Sequence, residues 1–408
     1  MRTLDARAAD AWTGLADVHH LWEHLEPARS AIRAADERVL RDQVALSSIA
    51  APTGAESARG EQVVSRFRAL GLRDVHVDDV GNVLGVRTGS EDDAPVVVCA
   101  HLDTVFPAGE DVRVRRDGNR LLGPGIVDNA RGLAGMLALA HAIDGTSLRT
   151  RRPILFVATV GEEGVGDLRG AKHLFATLER TPACCIALDG AGDDRVVHRA
   201  LGVRRFRVIY RGAGGHSWAA YGVPNPVHAA GAAAARLAAL PLPRHPRTTL
   251  SVCRIGGGIS VNSIPEDAWL EVDLRSSSAE VLAGCVADIR AAVHTAAREE
   301  NSRRAPGTEP LSSEVAMIGD RPCGATSEHH PLVRLASAAT RAIGRVPELV
   351  TASTDANVPI SLDIPAIAIG AGGRGGGVHT PAEWYDDTDG ALGIARALAI
   401  VVGAAGIG

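Results

Sequence analysis

Lysine is almost missing from this chain. Lys172 is its only one, so nearly all of the 43 basic residues are arginine, a bias that carries no chemistry of its own. Aromatic residues make up 3% of the 408 positions, and the six cysteines include no CxxC pair, Cys184 and Cys185 being adjacent. That usage excludes a dense disulfide framework or a zinc ribbon and fits a reducing, cytoplasmic setting. A basic field is lacking too, because 48 acidic residues leave a formal net charge of −5. Nucleic acid and anionic membranes are therefore not expected as partners. The opening MRTLDARAADAWTG has no basic segment followed by an apolar core and a small-residue cleavage site, so it does not read as a secretory signal. The last apolar stretch, Ala391 to Gly408, is rich in Ala and Gly and carries Arg396, which predicts a packed helix rather than a membrane span. No GK[ST] phosphate loop is found, and Ser217 lacks a GxSxG context. Gly370-Ala371-Gly372-Gly373-Arg374-Gly375 formally fits GxGxxG, but no helix opens behind it and no acidic residue follows at the required distance.

What is present is apolar mass: 46% hydrophobic against 22% charged residues, enough for roughly two or three domains. Residues 28–72 read as helix, turn and helix, broken at Pro52 and Gly54. Short apolar runs of buried-strand type then follow at 95–100, 153–160 and 183–188, alternating with helical stretches such as 132–142. This order predicts helices on both faces of a largely parallel sheet. From about residue 200 the texture changes to strand (203–210), helix (227–240), strands (248–255 and 268–274) and a long helix (279–300), closed by the breaker-rich stretch 301–310. The α/β style then returns with a helix at 332–343, a strand at 364–369 and a closing helix. The expected architecture is a three-layer α/β/α catalytic domain (1–199 and 310–408) interrupted by an inserted two-layer α+β lid or dimerisation domain (200–309).

Five polar constellations sit at the carboxyl ends of predicted strands or in the loops that follow, where open α/β sheets bind ligands. They are His101-Leu102-Asp103, the turn from Gly123 to Asn129 that delivers Asp128, the pair Glu162-Glu163, Asp189, and His379 behind a run of glycines. The first three have a plain structural alternative: a hydrogen-bonded histidine, a helix cap at Asp128, a solvated loop at Glu162-Glu163. Together they place two histidines and several carboxylates on one rim. Such a donor set suits zinc, cobalt or manganese, and two ions sharing a bridging carboxylate form a known hydrolytic arrangement. His19, His20, His173, His198, His245, His329 and His330 have no such context and read as surface or structural histidines.

The stretches AHLDTVFPAG, GPGIVDNARGLAGML, TVGEEGVGDLRGAKHL, ALDG, GAGGHSWAAYGVPNPVHAA, IGGGISVNSIPEDAWLEVDLRS, STDANVPISL and GGRGGGVHTPAEW resemble the co-catalytic zinc aminoacylase and carboxypeptidase family M20. The resemblance covers nearly all of the chain past its first forty residues. It implies two divalent ions, zinc first with cobalt or manganese as alternatives, held by His101 and Asp189 on one side and Glu163 and His379 on the other, with Asp128 bridging. Glu162 would be the general base, Asp103 would orient His101, and the Asp128-Asn129 peptide would be cis. Asn129 stands where many members carry a second Asp. His216 would help stabilise the oxyanion, reaching a partner subunit's site in dimeric members. Asn262 and Arg275 would bind substrate, and Asp355, Gly372 and Gly373 would shape the specificity pocket. The implied activity is hydrolysis of a small peptide by an exopeptidase, with an N-acyl amino acid deacylase as the alternative and a non-catalytic metal-binding protein a distant third. A homodimer formed through the inserted domain is also implied.

Overall fold

In the computed structural model of the protein, which describes residues 18–146 and 148–408, the run PVVVCA becomes the strand Val96–His101, buried along its whole length. Alternate residues serve two cores: Val96, Val98 and Ala100 pack into one apolar cluster, Val97 and Cys99 into another. A strand covered on both faces has no polar side, so its sequence reads as an unbroken apolar run. Ile154–Thr159, Cys184–Leu188 and Ala366–Ile369 are buried in the same way. The residues preceding Val18, in which the signal-sequence reading falls, lie outside the described part of the chain.

These four strands lie side by side, all parallel, at the centre of a nine-stranded sheet. Its flanks are antiparallel, with Val83–Arg87 on Ile154–Thr159 and Arg195–Ala200 on Ala366–Ile369. The sheet is therefore mixed, although parallel pairing recurs at one flank, where Glu348–Ala352 lies along Arg195–Ala200. Helices Ala130–Asp144 and Gly390–Ala405 pack on one face, while Arg169–Thr177 and Asn357–Ser361 contribute to the cluster on the other. Because the central strands run in one direction, their carboxyl ends share one edge, and every polar constellation picked out above leaves the sheet there or in an adjoining turn.

The chain divides into two compact units: residues up to Ala200 together with Ala325–Gly408, and Leu201–Gly324. In the second unit the strands Thr249–Gly257, Asp267–Ser276, Gly202–Arg211 and Ser312–Arg321 form an antiparallel sheet in that order. Phe206, Val208, Tyr210, Leu270 and Val272 face helices Pro226–Ala238 and Ala279–Ser302. The expected boundary at 310 falls short, since Ser312–Arg321 pairs along Gly202–Arg211 and belongs to the second unit. That strand was not foreseen: SSEVAMIGDR breaks its alternation at a bulge between Met317 and Gly319. Among the described residues no helix is long and apolar enough to cross a membrane.

The closing helix approaches the glycine-rich turn after Ala366–Ile369 at backbone distance. A Cβ on Gly393 would lie 2.2 Å from the Cα of Gly372. Gly393→Ala should therefore cost about 1–3 kcal/mol by overpacking, although Ala is the better helix former. Chemical denaturation would register this as a lowered midpoint; an unchanged or raised midpoint would show that the helix can move away freely.

Candidate metal centre

His101 ends its strand with a fully committed ring. Its Nδ1 donates to the carbonyl oxygen of Asp103 at 3.0 Å, and the Asp103 carboxylate is 3.5 Å away. With Nδ1 occupied, Nε2 is the atom left to act, and it faces Asp128 Oδ1 at 2.9 Å and Asp189 Oδ1 at 4.0 Å. The other oxygen of Asp128, Oδ2, is 3.1 Å from Nε2 of His379, which also meets Glu163 Oε1 at 2.9 Å. One carboxylate thus presents an oxygen to each imidazole. All five expected ligands converge, and the ligand atoms of His101, Asp128 and Glu163 lie within 4.8 Å of one another.

The electrostatics express a concentration of negative charge. Burial lowers the proton affinity of the His101 ring, but its interactions with Asp103 and Asp128 more than reverse this and hold it well above the usual range. His379 is pushed up to about 10, chiefly by Asp128 and Glu163. Burial pulls Asp128 upward, yet the two imidazoles outweigh it and hold the carboxyl low. Asp189 is raised to about 7 by burial and then by the like charge of Asp128. Two protonated rings thus offset part of the acids' charge, and a pair of divalent cations would supply more positive charge in the same place. The donors are imidazole nitrogens and carboxylate oxygens only, a set that fits such ions.

Local structure explains how the ligands are aimed. The Asp103 carboxylate accepts the backbone N–H of Glu162 and of Glu163, both at 2.9 Å, and the hydroxyl of Thr53 at 2.9 Å. Asp103 therefore fixes the acidic pair as well as touching His101, and Glu162 and Glu163 are both buried. The Asp128-Asn129 peptide is cis. Asn129 caps the following helix, its side chain accepting the N–H of Gly132 and of Gly190. Sequence reading missed Glu383. This buried carboxylate accepts three backbone N–H groups of the turn that carries Asp128, from Gly125 at 2.9 Å, Val127 at 2.7 Å and Asp128 at 2.9 Å. Burial nonetheless pushes it up to about 7 against those donors. Its position four residues after His379 was the available signal.

The remaining candidates are dispersed. Asp355 is buried, with Oδ2 accepting the Thr159 hydroxyl at 2.5 Å. Gly373 lines a cavity of about 710 Å³ shared with Asp128 and Asp189, whereas Gly372 is not part of that lining and packs against the closing helix. His216, Asn262 and Arg275 belong to the second unit. His216 is exposed on the short strand Gly215–His216, its Nδ1 accepting the Trp218 N–H at 3.2 Å. Asn262 is exposed, and its carbonyl accepts the Ser217 N–H at 2.9 Å. Arg275 is held by Asp273 at 2.7 Å.

Comparisons with known proteins agree with this geometry. Residues 97–402 match the family described as Peptidase family M20/M25/M40. Over 237 residues the chain is 25% identical to a succinyl-diaminopimelate desuccinylase of Corynebacterium glutamicum, covering 56% of this chain but only 64% of that relative's length. It is 26% identical over 393 residues to an N-carbamoyl-L-amino acid amidohydrolase of Geobacillus stearothermophilus, covering 83% of this chain and 89% of the other. A tripeptidase structure from Staphylococcus aureus shares the fold with a TM-score of 0.74 at 23% identity, over 90% of this chain and 98% of its own. With residues 97–402 matched, well over half of the chain and including all five converging side chains, the chain belongs to the M20/M25/M40 peptidase family.

Proposed function

We propose that the protein is a two-metal hydrolase that cleaves the amide bond of a small di- or tripeptide. The observation that carries this reading is the convergence of His101, Asp128, Glu163, Asp189 and His379 beside a buried carboxylate, Glu162, that the ligand set does not need. A purely structural metal site requires ligands but no extra acid. His101 and Asp189 would hold one ion, Glu163 and His379 the other, and Asp128 both. Zinc is the first choice, with cobalt or manganese chemically equivalent for this donor set. When bound, such ions polarise the scissile carbonyl and acidify the attacking water.

The chain's own residues do the rest. Asp103 pins the backbone of Glu162 so that its carboxylate is fixed to take a proton from the water and return it to the departing amine. By resemblance, His216 would donate to the oxyanion, and Asn262 and Arg275 would hold the substrate. The names of the two sequence relatives, a desuccinylase and a carbamoyl-amino acid amidohydrolase, favour N-acyl amino acids as the second reading. A homodimer through the second unit is consistent with its edge strand Thr249–Gly257 and the exposed Ile255, Ile259 and Val261. Six free thiols are consistent with the cytoplasm.

Glu162→Gln should retain both ions, measured by elemental analysis, while turnover of the best peptide falls about 100- to 10,000-fold. Near-normal turnover would remove Glu162 from the mechanism. A second expectation follows from the raised His379. Ligation needs the lone pair of Nε2, and with its proton held up to about 10 that ring is charged at pH 8. Zinc loading at pH 8 should therefore release protons and tighten as pH rises. Calorimetric titration in buffers of different ionisation enthalpy would count them, and a count of zero would argue against His379 as a ligand. In the metal-free protein the same shift contributes stability that is whole below about pH 6.5 and is lost as pH climbs through about 10.

A further inference from the structure

The cavity that holds Asp128 and Asp189 has one side chain whose role the metal chemistry leaves open. Arg374 lies on its wall, on the short strand Arg374–Gly376 that directly follows the glycine turn. The other two arginines of the cavity are spoken for. Arg345 is clamped between Asp193 at 3.0 Å and Asp389 at 2.6 Å, and Arg195 faces Glu348 at 3.9 Å. Arg374 is exposed and makes no ion pair among the described residues. Its cross-strand neighbour Asp386 is hydrogen-bonded by the backbone N–H and the hydroxyl of Thr388, at 2.9 and 2.5 Å, and feels the Arg374 charge only as a minor influence beside them.

The turn is built to place a long side chain there. A Cβ on Gly373 would come within 2.3 Å of the Tyr385 hydroxyl, and one on Gly375 within 2.6 Å of Val127. Both neighbours of Arg374 are thus sealed against protein, and the strand's single large side chain is Arg374. Of the acids lining the cavity, Asp128 and Asp189 are the proposed metal ligands, whose charge two cations would offset, and Asp193 and Asp194 lie on the wall with the arginines. With Asp193 tied to Arg345, a guanidinium remains beside the reaction centre with its fork of donors unspent.

We propose that Arg374 is a specificity-determining residue that binds a carboxylate on the substrate, so that the preferred substrates are acidic: aspartyl or glutamyl peptides, or amides of dicarboxylic acids. This rests on the amide-hydrolase reading above and names its substrate class. Removing a charge-assisted hydrogen bond by substitution corresponds to about tenfold or more in selectivity.

The test compares matched pairs on the metal-loaded enzyme: Glu-Ala with Gln-Ala, Ala-Glu with Ala-Gln, and N-succinyl-alanine with N-butyryl-alanine. The wild type should favour the acidic member of at least one pair by about tenfold or more in kcat/KM. Arg374→Gln should erase that preference, chiefly through KM, while the neutral partner stays within about twofold, which also reports an intact fold. Arg374→Lys should keep part of the preference. Absence of any acidic preference in the wild type, or its persistence in Arg374→Gln, would overturn the proposal. Binding separates this outcome from failure of the hydrolase reading. Calorimetry with glutarate and its monomethyl ester requires no turnover. The wild type should bind the dianion about tenfold more tightly and Arg374→Gln should bind both alike; equal binding by the wild type would refute the role even if no peptide is cleaved.

Discussion

Like charges held close in a buried space are the constraint around which this protein is organised. Asp128, Glu163 and Asp189 gather at one sheet edge, with Glu162 adjoining. Such a cluster is tolerable only if cations sit inside it. In the metal-free chain the two imidazoles take that part, His101 being held well above its usual range and His379 pushed up to about 10, while Asp189 rises to about 7. The site is therefore poised to exchange protons for metal ions, and much of the surrounding structure can be understood as scaffolding against its repulsion.

That scaffolding consists of carboxylates that bind backbone rather than metal. Asp103 ties the Glu162-Glu163 loop through two amides, and Glu383 gathers the amides of Gly125, Val127 and Asp128. Amides give directional support without adding another charge to the site. Gln43 supports the same turn through the carbonyl of Ile126, and Arg131 anchors the next helix to the carbonyls of Ala371 and Gly390. Each ligand consequently depends on a segment distant from it in sequence.

That these five side chains share one edge was legible in the sequence for a physical reason. Strands buried on both faces write continuous apolar runs, and a charged residue placed at the end of such a run, as His101 and Asp189 are, stands out sharply. Strands of other kinds were less visible. Arg195–Ala200 mixes two arginines and a histidine with its apolar residues, Glu348–Ala352 is five residues long with little burial, and Ser312–Arg321 is interrupted by a bulge. Glu383 escaped for a different reason: beyond its nearness to His379, nothing local marks a carboxylate whose amide partners lie more than 250 residues away. Gly372 and Gly373 were recognised as special, yet their immediate duty is close packing, against the closing helix and the Tyr385 hydroxyl.

Asp128 and His379 meet across 251 positions of chain, and the intervening sequence includes an entire second folding unit. During synthesis, residues emerging first must wait for that excursion to be completed before their counterpart arrives. A nascent polypeptide paused between residues 189 and 379 would hold the acids without the closing imidazole. Full assembly of the site is in this sense timed by translation, and it waits on the arrival of His379.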